Sequence, residues 1–406
     1  MLDIPNELLL MISTHLDHRD LRALATSSQT MCFLLLPEYL RRRGLLLKDT
    51  KGASAELRDS GGYTSLGLWS VARIFHPPED MYCPIPYDAQ EARSAMRFLV
   101  RFLQEPSNTC NLQSFHISLH SDPYLVGSEL CQIQRLFRVL PLRELYISGF
   151  CSADHLSPPI TLRRGWSFGS RTLTSITISS DHAFTPGLVR TTMGILKNSP
   201  IKSLRIYMVS LNLSQWSTLF GELSMTFLED IEVEGDIPRP ALIRFLINHK
   251  GLKRICIRGN VTSDRALPGR SWRQHIFPSL QILRAPLEIC CDILERASDP
   301  SDLFEVEVEV SRLHPFDPLF LRFVEILWRF RKLDNLGLRV RPSPQSVTPV
   351  TSQESPNDHN WVGHPAGRLR QVRTLSFMQA WCRLSPGDIV CPHLLSLISL
   401  TSFPRL

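Results

Sequence analysis

LEDIEVEG (228–235) and LKRICIRG (252–259) decide the fold. Both read apolar, two variable, apolar, one variable, apolar. The closing alternation is that of a strand with one face buried. The pattern recurs along the chain, beginning at Leu112, Leu142, Leu173, Ile201, Leu228, Leu252, Leu280, Leu303, Leu333, Val372 and Leu395. Its last two anchors are nearly always apolar, as in Phe115/Ile117, Leu145/Ile147, Ile176/Ile178, Leu204/Ile206, Val306/Val308 and Leu336/Leu338. The weakest unit has Leu283 followed by Ala285.

Helical patterns fill the gaps: Leu130–Leu140, Leu188–Leu196, Trp216–Leu223, Leu242–Ile247, Leu287–Leu294 and Leu319–Trp328. A short parallel strand needs a crossover to its neighbour, and a helix is the usual one. One such unit cannot bury its apolar face, whereas stacked units share a continuous core. The expected fold class is therefore α/β, a solenoid with a curved parallel sheet and helices outside. Starts lie mostly about 23 to 31 residues apart, and the array resembles a leucine-rich repeat of irregular kind. The asparagine that usually follows the last strand anchor stands once, at Asn260; elsewhere the position holds His120, Phe150 or Asp181. A doubly wound enzyme fold also alternates strands and helices. The number of short strands and the lack of a glycine fingerprint for phosphate argue against it.

Residues 46–105 read as a linker and a capping region. Lys48 to Gly62 is small and polar, Tyr63, Leu66 and Leu68 fit a degenerate first strand, and Ala89–Leu103 is helical, with Ala92, Met96, Leu99 and Leu103 on one side. The array then occupies 106–406. Within it 341–368 is rich in proline and serine and without periodicity, which predicts a disordered insertion. Ser343, Thr348 and Ser355, each before a proline, are its candidate phosphorylation sites, although such pairs are common in any segment of this composition.

The first 45 residues differ from the rest. Pro5 suits a first helical position and Glu7 a first turn. Leu8, Leu9, Ile12 and Leu16 make one apolar stripe at helical spacing. Asp17 is placed to cap a second helix, with Asp20 as a capping-box-like partner and Leu21, Leu24 and Ala25 as its apolar face. A third apolar stretch runs from Met31 to Leu36 and ends at Pro37. Three short helices bury little surface, so part of the apolar surface is expected to wait for a partner.

This segment resembles an F-box. The family pattern is matched by Ile4-Pro5-Asn6-Glu7-Leu8, Ile12, Leu16, Asp20-Leu21 and Leu36-Pro37; Met31, Cys32 and Phe33 stand where the family often has Trp or Arg. An ordinary three-helix cap on a solenoid is the alternative. The order F-box, cap, leucine-rich repeats resembles the substrate-receptor subunits of cullin–RING ubiquitin ligases. The resemblance implies that Ile4, Pro5, Leu8, Ile12, Leu16, Leu21 and Leu24 serve a Skp-family adaptor, and through it a cullin scaffold, some of them by internal packing. It implies that the array holds a client protein, and that the chain itself does no chemistry. A repeat scaffold that never joins a ligase remains open, as does an enzyme with a site assembled from scattered residues.

Composition bounds the rest. The net charge of +6 over 406 residues is mild, and the tightest basic run, Arg41-Arg42-Arg43, reads as a solvated helix end. A nucleic-acid partner would favour a concentrated basic stripe. Neither a signal-peptide core nor a membrane-spanning apolar run is visible. Ten cysteines without a C-x-x-C pair read as reduced, mostly buried thiols, which places the chain in cytosol or nucleus. No phosphate loop, nucleophile elbow or strong metal motif appears, so no cofactor is expected. His116 and His120 share a strand face but read as surface residues, and Cys290-Cys291 as helix packing. The client candidates are charges at outward strand positions: Glu229, Glu232, Glu234 and Arg258, then Glu305, Glu307 and Glu309 beside Arg284. In register Lys202, Glu229 and Lys253 would lie side by side, as would Glu234 and Arg258. Such rows either read a charged segment or pair laterally with each other.

Overall fold

The structure is a computed structural model, which describes residues 4–47, 54–58, 60–72, 77–119, 132, 136–137, 139–149, 169–185, 188–262, 277–297, 302–310, 318–340 and 374–379. The chain forms two compact units, Met1–Thr218 with Leu223–Phe227, and Leu219–Glu222 with Leu228–Leu406. Each is mixed α/β and built on a mostly parallel sheet.

The first unit opens with three helices, α1 (Asn6–His15), α2 (His18–Ala25) and α3 (Gln29–Arg42). Strands β1 (Leu45–Leu47), β2 (Ser54–Leu57), β3 (Asp80–Ile85), β4 (Ser114–Leu119), β5 (Glu144–Ser148), β6 (Ser175–Ser179) and β7 (Ser203–Ile206) follow in spatial order. Only β1 runs antiparallel, to β2; every later pair is parallel. Between strands lie α4 (Ser60–Ala72), α5 (Ala89–Gln104), α6 (Pro106–Thr109) and α7 (Val189–Asn198). Helix α8 (Leu213–Glu222) comes next in the chain.

The second unit pairs β8 (Asp230–Glu234), β10 (Arg254–Arg258), β12 (Ile282–Pro286), β13 (Glu305–Val310), β14 (Asn335–Val340) and β15 (Thr374–Gln379) in parallel. Two short strands, β9 (Ile237–Pro238) and β11 (Val261–Thr262), pair separately. Its helices are α9 (Arg239–Asn248), α10 (Leu287–Arg296) and α11 (Pro318–Leu327).

From β4 onward every strand except β9 and β11 begins two residues after one of the apolar starts. The anchor pairs point inward. Phe115, Ile117, Ile176, Ile178, Ile231, Val233, Ile255, Ile257, Val306 and Val308 are all buried. Fully burying one such side chain contributes roughly 1.5–3 kcal/mol, so this stack dominates stability. Each unit ends a strand on a glycine that nothing else can replace. Gly149 has φ +131° and a Cβ there would strike the Leu119 carbonyl; Gly259 has φ +101° and would meet the Gly235 carbonyl at 2.5 Å. Consecutive strand ends thus stack backbone on backbone.

Several expectations are corrected. Helix α3 does not end at Pro37 but runs through it to Arg42. Proline forfeits one helical hydrogen bond, yet Leu35, Leu36, Tyr39 and Leu40 are buried on both sides of it, and packing carries the helix on. Pro5 is the residue before α1 rather than its first position, while Glu7 does lie in the first turn. The stretch read as a linker holds β2 and the start of α4, and Tyr63, Leu66 and Leu68 lie on a helix instead of a strand. Tyr63, Leu66 and Trp69 are buried from that helix at three-residue steps. Strand β3 was not expected at all. Asp17 caps α2 as read, accepting from the Arg19 and Asp20 amides at 2.8 Å each. The helix over Ala89–Leu103 is observed as α5.

The asparagine position behaves unexpectedly. Asn260 is exposed and bonds Asp236 Oδ1 at 3.2 Å. Asp181, a departure from the repeat pattern, is buried and accepts from the Ser210 amide at 2.5 Å, tying one segment to the next. His120, Phe150, the insertion 341–368 with its three serine and threonine candidates, most of Leu130–Leu140 and the Leu395 unit lie outside the described residues.

Candidate functional site

The N-terminal helix presents the apolar face that the sequence leads one to seek, though not the one drawn from its stripe. At about 100° per residue Leu8, Met11 and Ile12 share one arc, with Leu9 and Ser13 opposite. Leu9 and Ser13 are buried, while Leu8, Met11 and Ile12 are 48%, 63% and 44% exposed. Ile4, Leu10 and, from α3, Phe33 are exposed as well. Large aliphatic side chains clustered in water mark an interaction surface more strongly than the same residues scattered.

The inward anchor of α1 is small, so something besides burial must hold it. Ser13 satisfies its hydroxyl by donating to the Leu10 carbonyl at 2.7 Å. Arg42, at the end of α3, donates to the Ser13 and Leu16 carbonyls at 2.8 and 2.9 Å. These carbonyls belong to the last turn and C-cap of α1, where a cation is favoured. Glu38 binds Arg41 at 2.8 Å and Arg42 at 2.7 Å. The Arg41 guanidinium, then that of Arg42, hold the Glu38 carboxyl down at about 2 despite partial burial. The basic run is therefore not simply solvated: Arg42 is a structural tie.

Of the adaptor candidates, Ile4, Pro5, Leu8 and Ile12 are exposed, Leu16 and Leu24 half-buried, and Leu21 wholly buried. Leu21 supports the helices from within. Met11 and Phe33 were missed, although Met11 sits at helical spacing from Leu8 and was legible in that sense.

Five of the seven charge candidates, Glu229, Glu232, Arg258, Glu305 and Glu307, are brought into ion pairs. Glu229 meets Lys253 at 2.5 Å, and Glu232 meets Arg258 at 3.0 Å. Arg284 lies between Glu305 at 2.6 Å and Glu307 at 3.4 Å, and Glu307 also faces Arg339 at 3.3 Å. The register sets Glu234 opposite Arg258, but the ion pair formed is the diagonal one to Glu232, within reach of a long guanidinium. Cys256, Arg258, Arg284, Glu307, Glu309 and Arg339 line a small pocket of about 30 Å³, partly open to solvent. Burial pushes the Cys256 thiol up, so it is not a poised nucleophile. Buried Cys290 and Cys291 are likewise raised by burial, Cys291 to about 12. Among the described residues no group of three or more metal-ligating side chains gathers, and no helix is long and apolar enough to cross a membrane. No protein-family model and no curated protein matches the chain.

Proposed function

We propose that the chain is a substrate-recognition subunit of an SCF-type ubiquitin ligase. The N-terminal helices act as an F-box that docks a Skp-family adaptor, and the strands form a leucine-rich-repeat array that holds a client. The observation that carries this reading is the face of Leu8, Met11 and Ile12 on α1, left in water by a helix whose inward side is only Leu9 and Ser13. A partner covering those three residues gains roughly 1 kcal/mol or more from each. The strand spacing and buried anchors support the repeat half of the reading. The receptor performs no chemistry; it raises the client's effective concentration beside the transferring enzyme.

The test is capture of a Skp-family adaptor by the full chain. L8E/I12E is expected to abolish capture with circular dichroism unchanged, because both residues already face water. R42A is expected to weaken it by loosening α1 without touching the face. Undiminished capture by L8E/I12E would leave an interaction scaffold outside any ligase.

A further inference from the structure

The outward face of the first unit carries a pattern that its neighbours in sequence hide. Parallel register sets Glu56, Tyr82, His116, Tyr146, Thr177 and Arg205 in one row across β2 to β7. The Tyr82 and His116 rings pack edge-on with centroids 4.6 Å apart, and His116 and Tyr146 follow at 5.7 Å. His116 Nε2 lies 2.7 Å from Ser148 Oγ. The adjoining row places Asp80, Ser114, Glu144 and Ser175 in register, so exposed carboxylates stand on the strands at either side of His116. Two strand spacings separate them, about 10 Å. The Tyr146 hydroxyl donates to Glu144 at 3.0 Å.

On β3 to β6 the charge is one-sided. At the outward positions of β3 to β6 the carboxylates are Asp80 and Glu144, and no lysine or arginine stands among them. Arg205, on β7, acts on Tyr146 from one end of the row, so the acidic end is the one at Asp80 and Tyr82, and Glu56 is already paired with Arg58 at 3.2 Å. Burial lowers the proton affinity of His116, which keeps its ring neutral near pH 7. Aromatic faces attract cations, and most strongly where carboxylates add to the field.

We propose that the Tyr82–His116–Tyr146 row is the client-docking face and that it takes a basic peptide segment, with a lysine or arginine side chain laid on a tyrosine ring and its charge toward Asp80 or Glu144. This deepens the client half of the proposed function and rests on that reading only for calling the ligand a client.

The test is fluorescence anisotropy on the full chain with two labelled peptides of equal length, one alternating lysine with glycine and one alternating glutamate with glycine. The lysine peptide binds and the glutamate peptide does not. Y82L/Y146L, which keeps apolar bulk but removes the rings, weakens binding at least about tenfold. D80N/E144Q weakens it and flattens its salt dependence, and E305Q/E307Q in the second unit leaves it unchanged. Equal binding of the glutamate peptide overturns the proposal. So does full affinity in Y82L/Y146L with circular dichroism intact, or a larger loss in E305Q/E307Q than in the tyrosine variant. L8E/I12E keeps its peptide affinity, so failure of the adaptor reading and failure of this one are separately visible.

Discussion

The outward faces of the two units are built on the same inward scaffold and differ in what their strands offer each other. In the second unit a carboxylate on one strand meets a guanidinium or an ammonium on the next: Glu229 with Lys253, Glu232 with Arg258, and Glu305 and Glu307 with Arg284. In the first unit the corresponding positions hold rings and hydroxyls, flanked by acids without an opposing base on β3 to β6. A face that neutralises itself has less left for a partner. Charge density alone is therefore a poor guide to a binding face, and charge imbalance is a better one.

The largest expected effect tests the shared scaffold. I178A in the first unit and I255A in the second should each destabilise by about 3 kcal/mol, the range for a large-to-small change in a close-packed core. Urea unfolding followed by circular dichroism measures both. A loss confined to one variant would mean that the two units do not each depend on a buried stack of the same kind.

A smaller effect separates the faces. R284A should cost about 1 kcal/mol, since Glu305 and Glu307 then stand side by side without their shared cation. The difference from the unsubstituted chain should shrink at high salt, which screens partly exposed pairs. Y82L in the first unit should show no such salt dependence. The same salt response in both variants would erase the distinction.

The smallest effect is in pH. Burial lowers the affinity for protons of both His116 and His249, the latter buried with Nδ1 2.6 Å from the Phe245 carbonyl. A histidine depressed in the folded state takes up its proton more readily once unfolded. Stability is therefore complete above the ordinary value of 6.5 and falls as pH drops below it toward the folded values. H249N should flatten part of this fall. The groups facing His116 are Tyr82, Tyr146 and Ser148, with Asp80 and Glu144 in the next row. Its protonation should also weaken a bound basic peptide. Peptide affinity that rises on acidification would contradict the neutral ring on which the first face depends.

Much of the strand array was legible because one-sided burial leaves alternation in the sequence. Ile231/Val233 and Ile255/Ile257 announce themselves whatever surrounds them. Strand β3 did not: Met81, Cys83 and Ile85 alternate, but Pro78 stands where the other units start with an aliphatic residue. Helix α4 was hidden by glycine. Gly62 has to be small, since a Cβ would come within 2.7 Å of the Gly44 carbonyl, and the price is a segment that reads as a loop. The aromatic row was half visible. His116 reads beside His120 in its own strand, whereas the informative neighbour is its register partner on the next strand, Tyr146. Tyr82 was beyond reach because its strand was. On α1 the stripe was found but not its division, because periodicity tells which residues share a side and not which side faces water.

Arg42 gives the first helix a bearing. A short helix with a two-residue footing would otherwise swivel, and a cargo fastened to it would wander on a string. With its trailing end pinned to the end of α3, the first helix becomes a bracket, and whatever clasps Leu8 and Ile12 inherits an orientation from the third helix. Replacing that single arginine would leave the apolar face intact and weaken the grip by losing the aim.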